Sequence, residues 1–141
     1  MEPKQITGDM VVAKAREYIG TPWHHAARCK GVGIDCIGLF VCVGQELGLQ
    51  IIDVVNYSMG SQLNRMLDEL DPYVIDVDLK DVRTGDLMVF SGKMMPNHCG
   101  IYSGEDTLIH AWRTVGKVVE MPLDEYWMNN LFGVFRIKES I

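Results

Sequence analysis

The chain has 141 residues, of which 48% are hydrophobic and 23% charged, and its formal net charge is −6. Length and composition predict one globular domain over residues 1–141. The acidic balance and the scattered basic residues argue against nucleic acid or an anionic membrane as a partner, because phosphate contacts rely on clustered Lys and Arg. We expect synthesis in the cytoplasm, since the sequence has no apolar core of a signal peptide and no run of ~18 apolar residues.

The first half of the chain predicts helices. Capping residues, apolar spacing and terminating glycines support each one. The predicted helices are one capped by Thr7 or Asp9 and stopped by Gly20, one from about Asp35 to Leu47 ended by Gly48, and one capped by Ser61 that ends near Leu70.

After Pro72 the pattern changes to short β-like runs separated by turns. The predicted strands are Leu87–Phe90, His98–Tyr102, Thr107–Ala111, Val118–Met121 and Val134–Ile137, with a short helix around Leu123–Met128. Helices followed by strands are typical of an α+β fold. We therefore expect an antiparallel sheet of about five strands that covers one side of the central, second helix.

Cys36 is the strongest candidate for a nucleophile, because it stands at the start of that apolar helix. Gly31 and Gly33 loosen the approach, and Asp35 can cap the helix. A thiol in the first helical turn faces unpaired backbone N–H groups and the positive end of the helix dipole, and both favour the thiolate. The thiolate is the nucleophilic form, so this pattern favours a cysteine hydrolase.

Two histidines can complete such a site. His98 begins one predicted strand and His110 stands at the end of the next, and the intervening Ser103–Asp106 is typical of a hairpin turn. The two imidazoles should therefore meet at one end of the sheet. Next to Cys36, His98 would be the general base and His110 would orient it.

The same three side chains leave a second chemistry open. Cys36, His98 and His110 could hold a zinc ion with a bound water, since zinc accepts cysteine and histidine ligands. The helix-start position of Cys36 favours covalent catalysis. The other three cysteines are interpreted as free structural thiols, with Cys99 on the strand face opposite His98.

Five short motifs follow one another along the chain. They are Gly20-Thr21-Pro22-Trp23, Asp35-Cys36-Ile37-Gly38-Leu39, Gly85-Asp86-Leu87-Met88-Val89-Phe90, His98-Cys99-Gly100-Ile101-Tyr102 and His110-Ala111. In this order and at these intervals they resemble the NlpC family of papain-like bacterial cell-wall peptidases. The resemblance implies a papain-like fold that hydrolyses amide bonds in peptidoglycan stem peptides, typically after a γ-linked D-glutamate, without metal or organic cofactor.

The resemblance also implies a substrate-binding site formed by Trp23, Asp35 and Ile37. The family usually has Tyr at the position of Trp23, and Ser is common at that of Ile37. The segment Gly20–His25 together with Lys30–Gly33 looks most like the phage-tail and gene-transfer-agent branch, whose small members lack signal peptides and act from the tail tip. That branch implies a virion-associated protein with other tail-tip proteins as partners. Two alternatives stay open: an N-acetylmuramoyl-L-alanine amidase using the same three residues, and an inactive tail-structural protein.

Overall fold

The N-terminal part of the chain is helical, as predicted. The structure is a computed structural model that describes residues 5–51, 53, 67–68, 71–91 and 98–138. Helix α1 spans Gly8–Arg16, and the Thr7 side chain caps it by accepting a hydrogen bond from the Met10 N–H at 3.1 Å. The helix predicted between Ser61 and Leu70 lies outside the described residues except for 67–68.

Helix α2 spans Cys36–Glu46 and is buried nearly all round. Asp35 is its N-cap, and Gly48 follows its last turn with a φ of 99°, a conformation that favours glycine. Gly38 permits close packing, because a Cβ there would lie 2.7 Å from a backbone oxygen. The prediction of a buried central helix is confirmed. None of the helices formed by the described residues has the length and apolar character that a membrane crossing requires.

The second half of the chain forms an antiparallel sheet of six strands within the described residues, in the order β3-β8-β4-β5-β6-β7. A separate antiparallel pair, β1 with β2, precedes α2. The strands are β1 (Arg28–Cys29), β2 (Gly33–Ile34), β3 (Val74–Val77), β4 (Leu87–Phe90), β5 (His98–Gly104), β6 (Thr107–Trp112), β7 (Lys117–Pro122) and β8 (Leu131–Ile137).

Each face of this sheet is covered. Helices α1 and α2 pack on one face, where α2 contacts β5 and β6. The short helix α3, Glu125–Asn129, covers the other face through Trp127, which packs with Met88, Phe90 and Leu108. The chain therefore has two apolar layers, and side chains that alternate along one strand enter different layers.

The sheet has six strands, so the prediction of about five is wrong by one. The missed strand is β3, which pairs with β8 at the edge of the sheet. Two apolar residues stand side by side in β3, the buried Val74 and the 47% exposed Ile75. The sequence therefore lacks the alternation of apolar and polar residues that signals a half-buried strand. The five predicted strands and the short helix near residue 125 are confirmed, with ends that differ by up to three residues.

Candidate active site

Cys36 is the first residue of α2, and the fold fixes this helix start firmly. The buried Asp35 carboxylate accepts hydrogen bonds from the Gly38 N–H and the Ala26 N–H, each at 2.7 Å. It also forms an ion pair with Arg28 at 3.0 Å. Cys36 is half-buried, with a core side and a solvent side. A first-turn N–H has no acceptor within its own helix, so that of Cys36 can donate to an oxyanion that forms beside its sulfur.

The two predicted histidines meet, as their hairpin suggested. Strands β5 and β6 are antiparallel neighbours, and the Nε2 of His98 lies 2.7 Å from the Nδ1 of His110. Gly100 leaves room for this pair, since a Cβ there would lie 3.0 Å from the Cβ of His110. The hydrogen bond uses the Nε2 of His98, so its Nδ1 is the nitrogen that can exchange a proton with Cys36.

The surroundings of Cys36 favour its thiolate. The pKa of its thiol lies well below the ordinary value, first because Cys99 hydrogen-bonds the sulfur and then because His98 adds a hydrogen bond and its charge. Burial and the Asp35 carboxylate oppose this shift. The thiolate is the nucleophilic form of cysteine, and His98 is the neighbour that can take the proton of the thiol.

His110 is a neutral imidazole. Burial, and to a smaller extent the charge of His98, lower its pKa to about 2. A neutral His110 can accept the Nε2–H of a charged His98 only through an unprotonated Nδ1, so its own proton is on Nε2. That Nε2 is buried without a hydrogen-bond partner among the described atoms.

Aromatic rings enclose the histidine pair on the α3 side of the sheet. The ring centre of Trp127 lies 5.3 Å from that of His98 and 4.9 Å from that of His110. Trp112 stacks on His110 at 5.6 Å, and Phe90 contacts Trp127 edge-on at 5.2 Å. These rings keep water from His110, which is the physical reason for its low pKa. The sequence analysis did not single out Trp127, which lies in the short helix predicted around Leu123–Met128.

The three predicted substrate-binding residues occupy different environments. Trp23 is half-buried, with the Arg113 guanidinium 5.5 Å from its ring centre. Asp35 is 4% exposed and is engaged as helix cap and ion-pair partner of Arg28. Ile37 is 8% exposed and belongs to the main apolar core. Contacts of these residues with a substrate stay a prediction.

The zinc alternative requires Cys36, His98 and His110 to be arranged as ligands of one ion. No group of three or more His, Cys, Asp or Glu residues in the described part of the chain could hold a metal ion. The facing nitrogens of His98 and His110 are instead bonded to each other. The described geometry therefore favours the thiolate–imidazolium chemistry.

The chain is similar to curated bacterial hydrolases. It is 27% identical over 128 residues to gamma-DL-glutamyl hydrolase of Bacillus subtilis (strain 168), a match that covers 89% of this chain and 28% of that protein. It is 28% identical over 95 residues to murein DD-endopeptidase MepS/murein LD-carboxypeptidase of Escherichia coli (strain K12), which covers 67% and 45%. The chain thus spans less than half the length of these two relatives.

Solved structures share the fold. A crystal structure of an NlpC/P60 family protein from Bacillus cereus ATCC 10987 superimposes with a TM-score of 0.73 at 22% identity, over 94% of this chain and 41% of that one. This match confirms the α+β, papain-like class. The NlpC/P60 family model itself matches residues 20–136, a range that contains Cys36, His98 and His110. The chain therefore belongs to the NlpC/P60 family.

Proposed function

We propose that this domain is a cysteine peptidase that hydrolyses amide bonds in peptidoglycan stem peptides. One arrangement carries the proposal: Cys36 at the start of α2 is next to His98, which favours its thiolate. His98 on β5 is in turn hydrogen-bonded to the neutral, buried His110 on β6. Both curated relatives are named as hydrolases of glutamyl or murein bonds, which supports this substrate class.

The proposed reaction has two covalent steps. The Cys36 sulfur attacks the carbonyl carbon of the amide, and the backbone N–H of Cys36 binds the oxyanion. His98 then gives its proton to the departing amine as the C–N bond breaks, which leaves a thioester on Cys36. Water, deprotonated by His98, attacks the thioester carbon; the C–S bond breaks, the acyl part leaves as a carboxylic acid, and the Cys36 sulfur and His98 again share one proton. His110 holds the ring of His98 through both steps.

We propose the γ-D-glutamyl bond of the stem peptide as the bond that is cut. The motif resemblance and the name of the Bacillus subtilis relative, gamma-DL-glutamyl hydrolase, support this choice. The Escherichia coli relative is named for different bonds, the DD and LD linkages of murein.

We also propose that the protein acts from a phage tail or a related particle. The support is the likeness of Gly20–His25 and Lys30–Gly33 to that branch. In this setting the protein is made in the cytoplasm, assembles with tail-tip proteins and meets peptidoglycan during cell entry. Mass spectrometry of purified particles tests this, because the chain should copurify with tail proteins; its absence from every particle fraction would contradict the assignment.

Digestion of purified peptidoglycan tests the enzymatic proposal. Mass spectrometry of the products should show stem peptides split after D-glutamate. Free stem peptides with an N-terminal L-alanine would instead indicate an amidase, and opened crosslinks would indicate a DD-endopeptidase.

Two variants serve as controls for that digestion. Cys36→Ala should give no products. Cys42→Ala should match the wild type, because the Cys42 thiol lies on the same helix but contacts the Arg28 carbonyl oxygen at 3.9 Å, away from the histidines. Products from Cys36→Ala, or none from the wild type on any peptidoglycan type, would contradict the proposal.

A further inference from the structure

A second thiol lies directly against the proposed nucleophile. Cys99 is the second residue of β5 and is fully buried. Its Sγ lies 3.4 Å from the carbonyl oxygen of Cys36, close enough for the Cys99 thiol to act on the Cys36 sulfur and lower the pKa of that thiol. The sequence analysis interpreted Cys99 as a structural thiol on the strand face opposite His98. Both parts are confirmed, since Cys99 is buried in the main apolar core while His98 lies against Trp127. The contact with Cys36 is a separate finding.

We propose that Cys99 is a positioning residue for the nucleophile: its S–H donates to the Cys36 sulfur while that sulfur is a thiolate, and to the Cys36 carbonyl oxygen once the sulfur is acylated. The inference rests on the proposed function, because it assigns a task to the Cys36 thiolate.

The choice between the two acceptors follows from their charge. A thiol has one proton to donate, and a charged sulfur is a better acceptor than a neutral carbonyl oxygen. A thioester sulfur carries no charge, so after acylation the carbonyl oxygen becomes the better partner. The surroundings of Cys99 are apolar, which strengthens a hydrogen bond to a charge.

The proton lies on Cys99 because Cys36 is the thiol that His98 contacts. The pKa of the Cys99 thiol is raised well above its ordinary value, first by the hydrogen bond with Cys36 and then by burial. His98 lowers the pKa of Cys36 through a hydrogen bond and its charge, whereas the Asp35 carboxylate adds to the raised pKa of Cys99 and the Arg28 guanidinium opposes it. The two sulfurs therefore share one proton, and the sulfur beside His98 is the one that loses it.

This arrangement has a kinetic consequence that an inert core residue would not produce. A donor that lowers the pKa of a thiol increases the fraction of thiolate at neutral pH, but each thiolate becomes a weaker nucleophile. Removal of the donor should therefore move the acid limb of the reaction to higher pH without lowering the alkaline plateau. Loss of packing alone would lower the rate at all pH values alike.

The test compares Cys99→Val, which fills the space without a donor, with Cys99→Ser, which keeps one. The rate at which iodoacetamide alkylates Cys36 is followed against pH, with mass spectrometry of the Cys36 peptide. We expect the midpoint to rise by about one pH unit in Cys99→Val, so alkylation below it slows about tenfold. The midpoint of Cys99→Ser should stay close to the wild-type value, because serine keeps a donor. The midpoint of Cys42→Ala should equal that of the wild type.

Coincident profiles for the wild type and a folded Cys99→Val would overturn the inference. If both Cys99 variants fail to fold, Cys36→Ser gives the reciprocal test, because coupling between two sites acts equally in both directions. The NMR shift of the Cys99 β-carbon should then titrate at lower pH than in the wild type, and an unchanged titration would again overturn it. Alkylation needs no substrate, so this result is independent of whether peptidoglycan is cleaved.

Discussion

Replacement of His110 with Ala removes the acceptor that lies 2.7 Å from the Nε2 of His98. His98 is charged after it has taken the Cys36 proton, and a hydrogen bond to a charged group contributes about 1.5–3 kcal/mol. One decade in rate corresponds to about 1.4 kcal/mol. We therefore expect His110→Ala to lower kcat/KM for a muropeptide by about 10- to 150-fold.

The acceptor and the empty space can be tested separately. His110→Gln keeps an acceptor oxygen for His98 and should lose less activity than His110→Ala. Leu108→Ala opens a cavity on the face of β6 that also carries His110, in the apolar cluster that contains Trp127. It leaves the hydrogen bond between His98 and His110 in place. Such a cavity costs about 2–5 kcal/mol of stability. While the protein stays folded, this variant should keep its kcat/KM.

The assay is steady-state cleavage of a purified muropeptide, with thermal unfolding of each variant measured beside it. If His110→Ala is folded and its kcat/KM is within about twofold of the wild type, catalysis by Cys36 and His98 does not depend on His110. If Leu108→Ala loses as much kcat/KM as His110→Ala, the effect arises from packing and the hydrogen-bond argument is wrong.

Three further predictions concern stability. Folded His110 has a pKa of about 2 and stays neutral, whereas in the unfolded chain it binds a proton below about pH 6.5. As the pH falls through this range, His110 therefore lowers the free energy of unfolding by about 1.4 kcal/mol per pH unit. Urea unfolding between about pH 4.5 and 6.5 should show a shallower decline for His110→Gln, and an equal slope would contradict a neutral His110. Asp86→Ala should lower the free energy of unfolding by about 3 kcal/mol, because the buried carboxylate accepts two hydrogen bonds from Arg136 at 2.9 and 2.8 Å. Arg16→Ala, which removes an exposed ion pair with Glu120, should lower it by less than about 1 kcal/mol. Similar denaturation midpoints for the two variants would refute this ranking. Gly38→Ala should lower the Tm by overpacking the start of α2, at about 1–3 kcal/mol, and an unchanged Tm would show that the neighbouring loop moves aside.

Much of the site could be predicted from local signals. Asp35 before Cys36 marks a helix start, and the turn before Thr107 brings His98 and His110 onto neighbouring strands. These features depend on capping and hairpin rules that act over a few residues. The structure confirms both the helix start and the pairing of the histidines.

Other features depend on tertiary packing and had no local signal. Trp127 contacts both imidazoles from a helix that follows β7, and nothing in its neighbours indicates which side of the sheet it covers. Cys99 was correctly placed in the core, but its contact with Cys36 requires the docking of α2 on β5. Strand β3 was missed because its edge position lets the apolar Ile75 stay exposed beside the buried Val74, so apolar and polar residues do not alternate along it.

A covalent intermediate on Cys36 is the most direct test of the proposed chemistry. A muropeptide is mixed with the protein, the reaction is quenched with acid during turnover, and the Cys36 peptide is analysed by mass spectrometry. We predict a thioester carrying the part of the stem peptide that lies before the cleaved bond, and no such adduct in Cys36→Ala. Turnover without any adduct on Cys36, or with the adduct on another residue, would contradict the assignment of the nucleophile.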